Sequence, residues 1–173
     1  MSAGVTVTPA SLAEQPVIAR LFQFYAYDFA ALEEASSDVL DFEADGGFGD
    51  YEYLPSYWTE PDRAALIVRV GGKLAGFVLL NRRSHNGSAI DHNIAEFFVA
   101  RKFRRGGVGA EVLRQITADR PGRWEAAIMQ HNTPAKAFWP EAIARLPGVR
   151  DITATEGDGA DWRGPILHFT VGA

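Results

Sequence analysis

The chain has 173 residues, of which 47% are hydrophobic and 23% charged, and this composition is typical of one globular domain. The absence of cysteine excludes disulfides, thiolate metal sites and a cysteine nucleophile. A formal net charge of −5 argues against bulk attraction to nucleic acid or to an anionic membrane, and no apolar run approaches a membrane span. The histidines are scattered, and the first residues do not resemble a signal peptide. We therefore expect one cytoplasmic domain over residues 1–173, with no metal site.

The first predicted elements are a strand, a helix and a long loop. Residues 4–8 alternate as a short strand does, and Thr8-Pro9 predicts the start of a helix over about 10–31. Residues 36–60 are rich in acids, aromatics and glycine, which indicates a functional loop with a short helix near 53–59.

The rest of the chain alternates strands with two helices. The predicted strands lie at 64–70, 73–82, 92–100, 123–130, 149–155 and 165–171. The predicted helices lie at 108–120 and from 132 to about 146, and we expect Pro140 to disturb the second one. Gly71-Gly72 predicts a tight hairpin between the first two of these strands. The order of elements predicts a single mixed α/β (α+β) domain.

The stretch 95–116 carries the strongest chemical signal. A predicted strand runs into a loop with three glycines, and a helix follows. Glycines let backbone N–H groups converge, and a helix N-terminus attracts anions, so the loop suits a diphosphate. Four cations within five residues favour a ligand with several phosphates. They are Arg101, Lys102, Arg104 and Arg105.

Two spaced strings resemble the cofactor motifs of the GNAT superfamily of N-acetyltransferases. Arg104-x-x-Gly107-x-Gly109 is similar to the acyl-CoA-binding motif, and Asn132-x-x-Ala135-x-x-Phe138-Trp139 is similar to the second one. A nucleotide-hydrolysing loop would instead need Lys-Ser/Thr after the glycines. The resemblance covers residues 4–171, element by element.

The resemblance implies a mostly antiparallel, twisted sheet flanked by helices, in which strands 94–100 and 124–130 splay apart. Acetyl-CoA would bind in that gap, with its pantetheine on the first strand and its pyrophosphate on the loop. Asn132 either contacts the pantetheine or caps the helix that it precedes. The implied cofactor-binding residues are Phe97, Phe98, Val99, Arg104, Arg105, Gly106, Gly107, Val108, Gly109, Ala110, Asn132 and Phe138.

Glu96 is the leading candidate for a catalytic base. An alkylamine with a pKa of about 10.4 is mostly protonated at neutral pH, so a base assists its attack on a thioester. Glu96 lies in an apolar strand, where burial raises the pKa of a carboxyl group. His92 and Asp91 are the reserve bases. The alternative role of Glu96 is an edge carboxylate that pairs with an arginine.

Trp139 departs from the family pattern. Many relatives place a tyrosine there, whose hydroxyl protonates the departing thiolate, and Trp139 has no such proton to give. Water or a tyrosine of the long loop would substitute. The departure keeps a second hypothesis open, in which the chain binds acyl-CoA without catalysis. Transfer of a bulkier acyl group is a further alternative, and a nucleotide-binding module is a weaker one.

The acceptor site of this family forms from the first helix and the loop that follows it. The implied contacts are Tyr25, Tyr27, Asp28 and Trp58, together with the acidic and aromatic loop 41–60. Acids beside aromatics suit a cationic amine. A small-molecule amine is favoured over a protein amine, and no nucleic acid or membrane partner is expected. Homodimers are common in the family, but no sequence feature specifies an interface.

Overall fold

The protein is described by a computed structural model, which covers residues 4–33 and 40–172. Residues 36–39 of the predicted loop lie outside this description. The strands are β1 Val5–Pro9, β2 Ala64–Val70, β3 Lys73–Asn81, β4 His92–Val99, β5 Gly122–Ala127, β6 Val149–Glu156 and β7 Pro165–Val171. The helices are α1 Gln15–Ala30, α2 Ser56–Thr59, α3 Val108–Ala118 and α4 Thr133–Ala144. Among these helices, none has the length and apolar character needed to cross a membrane.

The strands form one sheet in the order β1-β2-β3-β4-β5-β7-β6. Every neighbouring pair is antiparallel except β4 with β5. One face packs against α3 and α4, and the other packs against α1 and α2. We call them the α3–α4 face and the α1–α2 face. The predicted fold class is therefore confirmed.

The sheet opens between β4 and β5. The two strands pair only at His92 with Trp124 and at Asn93 with Glu125. Beyond that point β4 stays with β3, while β5 stays with β7 over six residue pairs. A bulge leaves Ala95 unmatched opposite β3, and bulges bend the strand that carries them. The predicted splay of these strands is therefore confirmed.

Thr8-Pro9 does not begin the first helix, so that prediction is wrong, although the predicted range of about 10–31 is close to the observed helical segment of 12–30. Pro9 is the last residue of β1, and the chain stays with β2 to Ala10, whose N–H donates to Ala65. The helical segment begins after Ser11, where the N–H and hydroxyl of Ser11 both donate to the Glu14 carboxylate at 2.9 and 3.0 Å. Thr8 and Pro9 cannot cap the helix, because they pair with β2. Ser11 and Glu14 therefore cap its N-terminus instead.

Pro140 does not break α4, contrary to expectation. The helix continues to Ala144. Proline removes the hydrogen bond to the carbonyl of Lys136, but Lys136 and Pro140 are both exposed. Water can therefore solvate that carbonyl, and the buried side of the helix is unaffected.

Gly76 offers a test of the β3–β4 register. A Cβ at this position would lie 1.9 Å from the carbonyl oxygen of Phe98, so the strands cannot keep their spacing. We expect Gly76→Ala to lower the free energy of unfolding by about 3 kcal/mol. Gly4→Ala is the matched control, since a Cβ there meets nothing within 4 Å. Denaturant titration measures both, and equal stability of the two variants would contradict the register.

Candidate active site

Glu96 lies on the α1–α2 face, where β4 and β5 have separated. It pairs with Leu79, and both Leu79 and Phe98 belong to the hydrophobic cluster of that face. The unmatched residue Ala95 resets the alternation of side chains along β4. Without this bulge, Glu96 would share the α3–α4 face with Ile94. The bulge therefore decides which side of the sheet receives the carboxyl group.

The environment of Glu96 makes it a weak acid. Burial raises its pKa from 4.5 to about 7, although hydrogen bonds from the hydroxyls of Tyr25 and Tyr51 and the nearby His85 act in the opposite direction. Burial also raises the pKa of both tyrosines, so they stay neutral and donate. Both protonation states of Glu96 are therefore populated around neutral pH, which suits a group that takes up and releases a proton.

Two buried side-chain atoms on the same face lack a hydrogen-bond partner among residues 4–33 and 40–172. They are Oδ1 of Asn93 and the hydroxyl of Tyr57, which makes no bond of normal geometry although Tyr51 and Asn81 lie close to it. The amide nitrogen of Asn93 donates to Oδ1 of Asn81 at 3.0 Å, so the side chain is held by its other end. Buried polar groups without partners are costly, and these two suit a polar ligand near the opening of the sheet.

The loop before α3 presents free backbone donors. Arg105 and Gly107 both have positive φ, of 68° and 75°, and Gly107 is the N-cap of α3. Within the described part of the chain, the amides of residues 105–110 have no backbone acceptor. A Cβ at Gly106 or Gly107 would meet nothing within 4 Å, so the space beside the loop is open. This geometry fits an anionic group.

Gly109 has a different role from the other two glycines. A Cβ there would lie 3.0 Å from the ring of Phe138 on α4. Gly109 therefore permits close packing of α3 against α4. The sequence pattern alone attributed all three glycines to phosphate binding.

Arg104 and Asp28, predicted to bind phosphate and acceptor respectively, bind each other. The guanidinium of Arg104 pairs with the Asp28 carboxylate and donates from Nε to the carbonyl of Val99 at 2.6 Å. Arg101 also pairs with Asp28, at 2.8 Å. These contacts fasten α1 to the end of β4. The exposed Lys102 and Arg105 have no ion pair among the described residues, so these two cations remain available to a ligand.

Three aromatic side chains form a wall of the opening on the α3–α4 face. The ring of Phe97 lies 5.0 Å from Trp139 and 6.2 Å from Phe138. Trp139 is 8% exposed and belongs to the core. Asn132 caps α4 through Oδ1, which accepts from the amide of Ala135 at 3.1 Å, so the capping alternative is observed.

His92 lies apart from Glu96. It pairs with Trp124 in the sheet, and the two rings are 4.5 Å apart. Trp124 belongs to the α3–α4 cluster, so His92 and Glu96 point to opposite faces. Burial lowers the pKa of His92. The structure does not bring this reserve base to the carboxyl group that it would replace.

Only one of the four predicted acceptor residues contacts Glu96, namely Tyr25. Tyr27 is 56% exposed and lies beside the rings of Phe42 and Phe48. Trp58 donates from Nε1 to the carbonyl of Ala10 at 2.9 Å and fastens α2 to the end of β1. The sequence reasoning missed Tyr51, because no local signal relates residue 51 to residue 96. Across the described ranges, no group of three or more His, Cys, Asp or Glu is arranged to hold a metal ion.

Several solved structures that share this fold are acetyltransferases. An acetyltransferase from Thermus thermophilus has a TM-score of 0.65 at 17% identity, covering 98% of this chain and 97% of that chain. Mycobacterium smegmatis RimJ in complex with CoA-disulfide has a TM-score of 0.62 at 20% identity, covering 99% and 84%. The PaiA N-acetyltransferase from Thermoplasma acidophilum in complex with coenzyme A has a TM-score of 0.57 at 11% identity, covering 95% and 98%. At these identities the likeness shows the fold.

Family membership comes from the sequence pattern of the whole central region. No curated protein sequence matches the chain. The pattern of the "Acetyltransferase (GNAT) family" matches residues 29–142, which is well over half of the chain. It includes Glu96, the glycine loop and the start of α4. The chain therefore belongs to the acetyltransferase (GNAT) family, and the predicted enzyme class, an acyltransferase, is confirmed.

Proposed function

We propose that the protein is an acetyl-CoA-dependent N-acetyltransferase that moves the acetyl group directly from the thioester to an amine. The observation that carries the proposal is Glu96: a nearly buried carboxyl group with a pKa of about 7, held by two tyrosine hydroxyls where the sheet opens. The complexes of RimJ with CoA-disulfide and of PaiA with coenzyme A support a CoA-type donor for this fold.

The residues present fit acetyl-CoA. The free amides of 105–110 and the side chain of Arg105 would hold the pyrophosphate, and the open space beside Gly106 and Gly107 would admit it. Phe97, Phe138 and Trp139 would line the apolar part of the groove. When bound, the cofactor supplies an acetyl group activated as a thioester. The carbonyl of Val99 is already taken by Arg104, so the backbone of β4 offers fewer free groups than the family resemblance implies.

Glu96 would make the acceptor nucleophilic. An alkylammonium with a pKa of about 10.4 must lose a proton before its nitrogen can attack. The ionised form of Glu96 accepts that proton, and Tyr25 and Tyr51 keep the carboxylate oriented. As the N–C bond forms, the C–S bond breaks and its electron pair leaves on sulfur.

The departing thiolate has no assigned proton donor. Trp139 is buried among apolar side chains, and Tyr25 and Tyr51 are engaged by Glu96 on the other face. A thiol with a pKa of about 8.5 is a fair leaving group, and departure as thiolate costs about 2 kcal/mol at pH 7. The absence of a tyrosine at 139 therefore slows the reaction without preventing it. The alternative is acyl-CoA binding without catalysis, and the experiments below must distinguish it from acetyl transfer.

The acceptor is proposed to be an amine of a small cationic molecule. Tyr25 and Tyr51 offer aromatic faces, and the ionised form of Glu96 offers a negative charge. The segment before α2, which packs on the α1–α2 face, carries exposed acids, among them Asp50 and Glu52. These features favour a cation over a neutral or anionic acceptor.

Calorimetry with acetyl-CoA, desulfo-CoA and ATP tests the cofactor assignment. We expect both CoA compounds to bind and ATP to bind much more weakly. Gly107→Trp should abolish CoA binding, because a large side chain fills the open space beside the loop and Gly107 has a positive φ. Binding of ATP without CoA, or tight CoA binding by Gly107→Trp, would contradict the assignment.

Substitution of Glu96 tests the base. We expect Glu96→Gln to lower kcat by about 100-fold, since general bases contribute about 10²–10⁴, while CoA affinity stays within threefold. His92→Gln is the matched variant on the opposite face of the same strand, and we expect its turnover within about threefold of wild type. Free-thiol release with an amine panel measures both. A large loss in His92→Gln with none in Glu96→Gln would transfer the role to His92.

The raised pKa of Glu96 has a measurable cost in stability. A group whose pKa is higher in the folded state stabilises the fold below its unfolded value of 4.5, and this contribution is lost as the pH rises through about 7. Glu96→Gln removes this pH dependence. We therefore expect the unfolding free energy of the variant minus that of wild type to rise by about 2–3 kcal/mol between pH 4.5 and pH 8. Glu111→Gln is the flat control, because the hydrogen bond from Arg114 lowers the pKa of Glu111 to about 2 and its contribution to stability therefore changes only below about pH 4.5. A pH-independent difference for Glu96→Gln would refute the shift.

A further inference from the structure

A second buried carboxylate lies on the α1–α2 face, beside the opening of the sheet. Glu125 on β5 is fully buried, and it forms the last residue pair of β4 and β5 with Asn93. Its neighbours Trp124 and Ala126 pack on the α3–α4 face, so its own side chain points to the side of Glu96. The proposed chemistry does not use this group.

Glu125 is held by four hydrogen bonds. Its Oε1 accepts from the backbone N–H of His85 at 2.8 Å and contacts Nδ1 of the same residue at 2.7 Å. Its Oε2 accepts from the hydroxyl of Ser84 at 2.6 Å and contacts Nε2 of His168 at 2.9 Å. Burial raises the pKa of Glu125, but these bonds outweigh it and leave the pKa at about 2. The carboxylate is therefore ionised, and each histidine uses one nitrogen to donate to it.

The imidazole of His85 is fixed in one orientation with one nitrogen free. Nδ1 is bound to Glu125, and Nε2 has no partner among residues 4–33 and 40–172. The other side of the ring packs edge-on against Trp162, with 4.6 Å between ring centroids. Trp162 is fastened in turn, because Nε1 donates to the carbonyl of Ile128 at 3.2 Å. The side chain of His85 is 26% exposed, so the free nitrogen can meet a ligand.

The loop that carries His85 is anchored to the same face as Glu96. It begins after Asn81, whose Oδ1 accepts from the amide of Arg83 at 2.9 Å and from Asn93 at 3.0 Å. Asn81 and Asn93 lie opposite each other on the α1–α2 face, between the positions of Glu96 and Glu125. A protonated His85 lowers the pKa of Glu96, so the two side chains lie within range of an electrostatic interaction. A proton acceptor therefore stands on each side of the opening.

We propose that His85, oriented by Glu125, is a second catalytic base of the acceptor site, and that its Nε2 takes a proton from the acceptor nitrogen. This inference rests on the proposed function. A carboxylate that binds Nδ1–H of a histidine fixes the tautomer with a free lone pair on Nε2 and stabilises the imidazolium that forms. Glu125 is thus a positioning residue. His168 binds the other carboxylate oxygen from β7 and contacts no group of the proposed reaction.

The proton balance of the reaction gives His85 a task. A primary ammonium loses two protons when it becomes an amide: one before its nitrogen attacks, and one as the new N–C bond is completed. Glu96 takes one and His85 takes the other, while the C–S electron pair leaves on the thiolate. Charge is conserved: the ammonium loses one positive charge and the thiolate gains one negative charge, while the carboxylate becomes a carboxylic acid and the neutral imidazole becomes an imidazolium. Trp139 supplies no acid that could exchange a proton with Glu96. A second base therefore suits this site.

Chemical rescue tests the proposal. The probes are spermidine, kanamycin and a lysine peptide as acceptors, with free-thiol release from acetyl-CoA as the readout. For the acceptor that wild type uses best, we expect His85→Ala to lower kcat by about 10- to 100-fold. Added imidazole should restore part of this rate, in proportion to its neutral form. His168→Gln, which keeps a donor for Glu125, should stay within about threefold and should not respond to imidazole.

A readout that is independent of turnover accompanies the kinetics. Nitrogen-15 spectra of the histidines should show the Nδ1–H tautomer for His85 in wild type and lose that preference in Glu125→Ala. A merely structural His85 predicts equal loss of stability and activity in His85→Ala and His168→Gln, with no rescue, and that result overturns the proposal. Turnover of His85→Ala at the wild-type rate overturns the proposal as well. If wild type acetylates no amine although it binds acetyl-CoA, the proposed function itself fails.

Discussion

The separation of β4 from β5 after Asn93 is the constraint on which the rest of the site depends. Each strand keeps its other neighbour, so the sheet loses pairing along one line only. The inner edges of the two strands then face a gap instead of each other. Everything assigned to the reaction lies around that gap: the glycine loop where β4 ends, the aromatic wall on one face and the polar groups on the other.

The bulge at Ala95 links this constraint to the chemistry. It lies just beyond the last β4–β5 pair, where the two strands separate, and its extra residue turns Glu96 to the α1–α2 face. There the carboxyl group meets Tyr25 from α1 and Tyr51 from the segment before α2. Desolvation of Glu96 weakens the fold at neutral pH, and this is typical of a functional position, where a site is kept at the expense of stability.

The order of elements was predictable from local signals, whereas the contacts of the site were not. Gly71-Gly72 and the glycine loop punctuate strands that periodicity identifies. The error at Thr8-Pro9 arose because proline suits both a helix start and an edge strand, and only pairing with β2 decides between them. No local sequence signal distinguishes an arginine that binds phosphate from one that pairs with Asp28, because Arg104 and Asp28 lie 76 residues apart in sequence. The same limit hid Tyr51 and the environment of Glu125.

A direct titration of Glu96 tests the central claim, that the opened sheet holds a carboxyl group tuned to exchange protons near neutrality. Carbon-13 spectra of protein labelled at the glutamate carboxyl carbons follow every such group at once, and Glu96→Gln identifies the resonance of interest. The account predicts one carboxyl resonance that titrates near pH 7 and is missing from the variant. Titration of all glutamates below pH 5 in wild type would contradict it.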